Sequence, residues 1–284
     1  MDVTQKTSDE QVELWNGVAG CAWVEEQELL DRMFKPFEEM LADTVSAGNA
    51  INRVLDVGCG TGSTTVAMAR RVGSQDSCLG IDISEPMIRL ARMRAEREGV
   101  PVSFIVANAQ THALEPASFD MIVSRFGVMF FDDSVAAFEN LRRAVRQGGG
   151  LEFIAWRAPS ENPFMTTAER AAATLLPNLP PRRPGAPGQF AFGDSDRVRG
   201  ILEQSGWAEI EILPIDIRCS LPEKELVRYF TRFGPVGLMF AELDEGTRGR
   251  VVETVRAAFD SYVNGAEVSY TAACWMVRAR NGAK

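Results

Sequence analysis

Three glycines at every second position, Gly58, Gly60 and Gly62, follow a short apolar run in "VLDVGCGTG" (54–62), and no other stretch constrains the fold as tightly. A branched, apolar run that ends in glycine reads as a strand buried on both faces, the kind found in parallel sheets. Glycine straight after such a strand lets the backbone turn through positive φ and approach a group that a side chain would block. The next segment, "STTVAMARRVG", predicts a helix closed by Gly73, whose first turn offers free N–H groups to whatever lies there.

The chain repeats that unit. "SCLGIDIS", "VSFIVANAQ", "FDMIVSRFGVMFF" and "GLEFIAW" read as the beginnings or bodies of four more strands. Between them, "EPMIRLARMRAEREG", with Pro86 in its first turn and Gly99 just past its end, and "SVAAFENLRRAVRQGG" read as helices. Such alternation implies right-handed crossovers and a mostly parallel sheet with helices on both faces. Upstream, residues 9–48 carry apolar positions at helical spacing and predict two helices joined near "NGVAGCAW". Downstream, residues 157–193 hold seven prolines and are too irregular for a sheet element. Then "DSDRVRGILEQSGW" predicts a capped helix, "AEIEILPIDI" a strand, residues 222–262 helix, and "VSYTAACWMVRAR" a last strand. The expected organisation is an N-terminal helical cap over 1–48 and an α/β domain over 49–284, with lid insertions at about 157–193 and 222–264.

In an open parallel sheet, ligands bind beyond the carboxyl ends of the strands, where the strand order reverses, so a ligand should meet the glycines. A phosphate loop needs Gly-Lys-Ser/Thr, and no lysine follows; a dinucleotide fingerprint spaces its glycines differently. Asp82 ends the second strand, 26 residues past Asp56, where a carboxylate can accept two hydrogen bonds from a ribose diol. The ligand reads as one that carries a ribose and need not carry a pyrophosphate.

"VLDVGCGTG", "GIDIS" and "ANAQ" resemble the nucleotide-binding motifs of class I S-adenosylmethionine-dependent methyltransferases, over roughly residues 50–156. "WNGVAGCAWV", "SRFGVMFFDD" and "ENPFM" look like the bacterial small-molecule branch near the ubiquinone/menaquinone-biosynthesis enzymes. The resemblance implies a Rossmann-like, doubly wound sheet of seven mostly parallel strands with the last reversed. It implies S-adenosylmethionine as cofactor and S-adenosylhomocysteine as product. Gly58, Gly60 and Gly62 would lie against the methionine part, with Cys59 as a small packing residue among them. Asp82 would hold the ribose hydroxyls and Asp56 the methionine end, directly or through water. Ile83 and Met87 would flank the adenine, unless they are plain core. Asn108, Ala109 and Gln110 follow the third strand, where the family usually places an acid toward the adenine amine; the amide oxygen of Asn108 can still accept that bond, without the charge. Ser124 and Arg125 would end the fourth strand near the sulfonium.

Methyl transfer from a sulfonium is an in-line displacement in which the protein mainly positions and desolvates, so no catalytic signature need exist. His112, the only histidine, is a candidate base or an ordinary loop residue. Trp15, Trp23, Phe126, Met129, Phe130 and Phe164 are candidate walls of an acceptor pocket or simply core, with Tyr229, Tyr270, Phe190 and Phe192 as further candidates. An aromatic, sulfur-rich wall suits a small hydrophobic or aromatic acceptor methylated at oxygen, carbon or nitrogen. A catalytically silent cofactor-binding protein is the alternative.

Charge and cysteine usage narrow the partners. A net charge of −9 argues against nucleic acid as an acceptor. No stretch approaches the ~18 apolar residues of a membrane span or resembles a signal peptide. The five scattered cysteines show no metal or disulfide spacing and fit reduced thiols in the cytoplasm. No metal is expected, and the resemblance allows a homodimer.

Overall fold

The computed structural model describes residues 3–46, 51–72, 77–183 and 185–282. The boundary expected at 48–49 and the helix stop at Gly73 lie outside the described residues. Three helices come first: α1 (Val3–Asn16), α2 (Val18–Glu25) and α3 (Gln27–Ser46). The alternating part follows as β1 (Val54–Val57), α4 (Ser63–Val72), β2 (Cys78–Asp82), α5 (Glu85–Glu98), β3 (Ser103–Val106), β4 (Phe119–Arg125), α6 (Ser134–Ala144) and β5 (Val145–Trp156). Then come α7 (Pro163–Ala172), α8 (Ser195–Gln204), β6 (Ala208–Pro222), α9 (Leu226–Arg232), α10 (Gly234–Phe240), α11 (Glu245–Ala258), β7 (Val263–Asn264) and β8 (Glu267–Arg280).

The strand order is β3-β2-β1-β4-β5-β8-β6. β1 pairs in parallel with β2 and β4, and β5 in parallel with β4. β8 runs antiparallel to both β5 and β6, which is the reversed strand expected from the resemblance. The two-residue β7 adds an eighth strand at the edge of β8. The strand order turns back between β1 and β4, so the carboxyl ends of β1, β2, β3 and β4 open on one crevice.

Two local expectations change. The segment "VAGCAW" is not a joint but a helix of its own, α2, packed by buried Gly20 and Ala22. The sixth helix stops at Ala144, not at the glycines that follow it. There Val145 already pairs with Phe119, and Gly148 turns with φ +74°. The caps on α5 and α8 are as the sequence predicts. Ser84 accepts from the Met87 N–H and Gly99 closes α5 in the left-handed conformation, while Asp194 accepts from two N–H groups of α8.

One apolar core spans the sheet and the cap. Leu30, Met33, Phe37 and Leu41 of α3 pack in the same cluster as Leu55, Ile122 and Phe153 of the central strands. Over the other end, Phe164 of α7 is buried face to face on Tyr270 at 3.9 Å, with Tyr229, Phe259 and Tyr262 around it. This pile fastens α7 and the segment that holds Tyr229, Phe259 and Tyr262 to β8. Replacing Phe164 by Ala should cost roughly 3–5 kcal/mol, as for other fully buried phenylalanines; urea unfolding checks it, and a loss below about 1 kcal/mol would mean that the pile does not hold these segments together.

Candidate functional site

The three glycines do three different things. Gly58 (φ +67°) lies against Gly127, and a Cβ on it would stand 2.5 Å from the Gly127 Cα. Gly62 (φ +83°) lies against α5 and β3, where a Cβ would meet Ala91 at 2.8 Å and the Phe104 ring at 3.0 Å. Only Gly60 (φ +54°) faces open space: a Cβ there would have the Met87 sulfur, at 3.6 Å, as its nearest neighbour. So Gly62 is a packing glycine and does not line the cavity, contrary to the role expected of it. Gly58 lets two backbones meet as well as bordering the cavity.

Asp82 ties the loop together. One carboxylate oxygen accepts from the Gly60 N–H at 2.8 Å and the other from the Ser84 N–H at 2.9 Å. Each oxygen keeps a second lone pair, and the group lines the cavity. Burial raises its pKa, against the pull of those N–H donors. The α1–α2 corner closes over the same turn. Ser84 Oγ donates to the Trp15 carbonyl at 2.6 Å, and Asn16 bridges the Ile83 carbonyl and the Glu85 N–H.

Asp56 sits one layer below. It is buried, does not line the cavity, and accepts from Thr65 Oγ1 at 2.6 Å; its second oxygen, Oδ1, has no partner. Desolvation pushes its pKa up to about 6, although the Thr65 hydrogen bond and the Arg125 charge pull it down. An acid whose folded pKa lies above its unfolded value binds the proton more tightly when folded, so the ligand-free protein should lose stability as pH rises from about 4 to 6. The span corresponds to roughly 3 kcal/mol at most. Asp56→Asn keeps the Thr65 bond and should make that slope shallower, leaving the part that the raised pKa of Asp82 contributes; urea midpoints of both proteins between pH 4.5 and 7 check it, and parallel curves would refute it.

Ser124 is also a fastening. Its hydroxyl donates to the Val57 carbonyl at 2.7 Å and accepts from the Gly127 and Val128 N–H groups, tying the end of β4 to the end of β1 away from the cavity. The next residues turn sharply. Phe126 holds φ +65°, rare for an aromatic residue, and stacks on Trp156 at 4.8 Å.

The cavity that opens from these strand ends measures about 410 Å³. It brings together Gly58, Cys59, Gly60, Asp82, Ile83, Met87, Asn108, Ala109, Gln110 and Arg125 with Trp15, Trp23, Phe126, Met129, Phe130 and Phe164. Asn108 forms a tight turn, its Oδ1 accepting from the Gln110 N–H. Cys59 packs under the loop against Val66, Ile88 and Phe104.

The structure does not bring His112 to the cavity. The chain turns after Asn108, the His112 N–H donates to the Asn108 carbonyl, and Asn140 holds the Ala109 and His112 carbonyls, which leaves the imidazole exposed. Phe190 and Phe192 also lie off the cavity, Phe190 beneath Arg182 and Phe192 against Phe138. Tyr270 stays in the pile behind Phe164, whereas Tyr229 lines the cavity. Sequence reading missed Phe34, Trp156, Phe230, Phe233 and Phe259 as lining residues. Phe230 and Phe233 stand one helical turn apart, a signal that could have paired them. No group of three or more metal-ligating side chains occurs among the described residues, and no described helix is long and apolar enough to cross a membrane.

Comparison with known proteins agrees with this architecture. Residues 54–149 match the family described as Methyltransferase domain. The chain is 36% identical over 121 residues to aklanonic acid methyltransferase DauC of Streptomyces sp. strain C5, covering 42% of this chain and 54% of that protein. It is 25% identical to nocamycin O-methyltransferase of Saccharothrix syringae, over 84% of this chain and 88% of that one. It is 29% identical to the ubiquinone/menaquinone biosynthesis C-methyltransferase UbiE of Marinomonas sp., over 56% of this chain and 60% of that one. The chain thus spans between about half and nine-tenths of the length of these relatives. Among solved structures, the YcgJ protein of Bacillus subtilis shares the fold, with a TM-score of 0.59, 16% identity, 88% of this chain and all of that one.

Proposed function

We propose, from the match of residues 54–149 to a methyltransferase domain, that this protein methylates a small apolar or aromatic acceptor inside the cavity with S-adenosylmethionine as the methyl donor. One observation carries the reading. A single cavity joins the Gly58–Gly60–Asp82 ledge to an aromatic chamber of Phe164, Tyr229, Phe230, Phe233 and Phe259.

The residues present fit the cofactor. Gly60 leaves the ledge free of a side chain, the Asp82 carboxylate retains lone pairs toward the cavity, and Ile83 and Met87 offer apolar faces beside it. Asn108 and Gln110 stand at the next strand end, where the adenine edge would lie. When bound, S-adenosylmethionine supplies a methyl group on a good sulfonium leaving group. The chain's part is to orient and to dry the site. The Trp15 ring meets Trp23 and Phe130 edge to face at 6.2 and 5.1 Å, and Trp23 meets Phe34 and Phe233, so an aromatic roof closes over the crevice. Holding the acceptor in line there can be worth roughly 7–11 kcal/mol. With His112 outside the cavity, its imidazole takes no proton from the acceptor. Four of the five cysteines are buried free thiols, which fits a cytoplasmic site of action.

The test is transfer of label from methyl-labelled S-adenosylmethionine to a panel of phenols, aromatic acids, quinols and amines. Label should appear on an aromatic member. Tight S-adenosylhomocysteine binding without label on any member would replace this reading with the silent cofactor-binding alternative.

A further inference from the structure

Three guanidinium groups border the cavity: Arg125, Arg182 and Arg232. Two are already paired. Arg182 meets both carboxylate oxygens of Glu169 at 2.8 and 3.0 Å, and Arg232 pairs with Glu25, the last residue of α2, and with Glu26 just past it. Arg125 has no hydrogen bond or ion pair among the described residues, and its Nη1 is shut off from solvent without a partner. A guanidinium is costly to desolvate and is retained in such a place when an anion completes it.

The surroundings say which end of a ligand it meets. The charges facing Arg125 come from three elements. Asp31 and Glu38 lie on α3, Arg94 on α5 and Asp56 on β1. Asp31 is taken by Arg94, and Glu38 by Lys35. Of this group, Asp56 and Arg125 are left without an ion-pair partner, each with a buried polar atom unsatisfied; Asp132, which also lines the cavity, has an unsatisfied Oδ1 as well. The β1–β4 register pairs Asp56 with Val123, which sets Arg125 level with Gly58 at the mouth of the glycine loop. An orphan acid behind the loop and an orphan cation beside it match an amino acid's two ends. The aromatic chamber formed by α7 and α9–α11 lies beyond Phe126 and Trp156.

We propose that Arg125 is the carboxylate anchor of the cavity, and that the carboxylate it takes is that of the amino-acid end of the bound cofactor, with Asp56 favouring the neighbouring ammonium. This rests on the cofactor reading above. Arg125 forms a two-pronged pair that fixes the amino-acid tail, and through it the position of the sulfur, while its Cζ lies over the Phe34 ring, 5.9 Å from the centroid.

Calorimetry with two probes tests it: S-adenosylhomocysteine, and its decarboxylated analogue 5′-S-(3-aminopropyl)-5′-thioadenosine, which keeps the ammonium and loses the carboxylate. Wild type should prefer the first by roughly 10- to 100-fold, the scale of a charged hydrogen-bonded pair. Arg125→Met should bind both probes with the affinity that wild type shows for the analogue, and equal analogue binding also reports an intact pocket. Arg125→Lys should keep part of the preference, because it restores the charge without the fork, and it serves as the reading should the Met variant not fold. Asp56→Asn should weaken both probes alike. A preference that survives in Arg125→Met or is undiminished in Arg125→Lys would overturn the proposal and turn Arg125 toward the acceptor; so would a wild type that binds both probes equally. A wild type that binds neither probe would fail the cofactor reading itself.

Discussion

Asp82→Ala should lower S-adenosylhomocysteine affinity by a hundredfold or more. The carboxylate would lose two acceptor contacts to the ribose diol, and hydrogen bonds to a charged group are worth roughly 1.5–3 kcal/mol each. A second loss comes from the protein itself. The Gly60 and Ser84 N–H groups now donate to Asp82, and the variant would leave both without that acceptor, so the ledge that meets the cofactor would loosen. Asp82→Asn separates the two effects. Its amide oxygen can hold one N–H, and it should recover part of the stability but little of the affinity. Isothermal calorimetry and urea unfolding on the three proteins read both quantities. Binding by Asp82→Ala within about threefold of wild type would remove the ribose from this carboxylate.

Gly58→Ala and Gly60→Ala should fail in opposite ways. At Gly58 a methyl group would stand 2.5 Å from the Gly127 Cα, and both positions are backbone. The ends of β1 and β4 would have to part, against the Ser124–Val57 hydrogen bond that clamps them. With the cost of positive φ added, the loss of stability should be about 3 kcal/mol or more. At Gly60 the methyl group meets no protein atom closer than the Met87 sulfur, so the cost to the fold should be only about 1–2 kcal/mol from φ. Cofactor affinity should nevertheless fall at least tenfold there, because the methyl group takes the space the ligand needs. Thermal unfolding and S-adenosylhomocysteine titration of both variants show whether the pattern crosses. Equal destabilisation with unchanged binding by Gly60→Ala would mean that the ledge does not carry the ligand.

Much of the frame was legible because it is local. "VLDVGCGTG" and "GIDIS" announce strand, turn and acid within a few residues of each other, and the caps of α5 and α8 can be read from Ser84, Gly99 and Asp194. Gly127 carried no such signal. Its partner Gly58 is 69 residues away, and only the parallel pairing of β1 with β4 sets them back to back. Ser124 misled for the same reason: at a strand end a hydroxyl can face a ligand or a neighbouring strand, and it faces Val57. His112 looked placed for chemistry by its distance along the chain from β3, but Asn140, from a helix 28 residues on, holds that turn with the imidazole outward.

The sequence by itself determined the sheet, the acid that closes β2 and the need for positive φ at three glycines, since each follows from the conformational limits of a few adjacent residues. The tertiary structure alone decided which glycine faces the cavity and which faces protein. It also decided that Arg182 and Arg232 are neutralised while Arg125 is not, and that aromatic rings from α3, α7 and α9 and Phe259 just past α11 line one cavity. Those outcomes depend on pairings between residues far apart in the chain, where packing and charge, not local propensity, set the result.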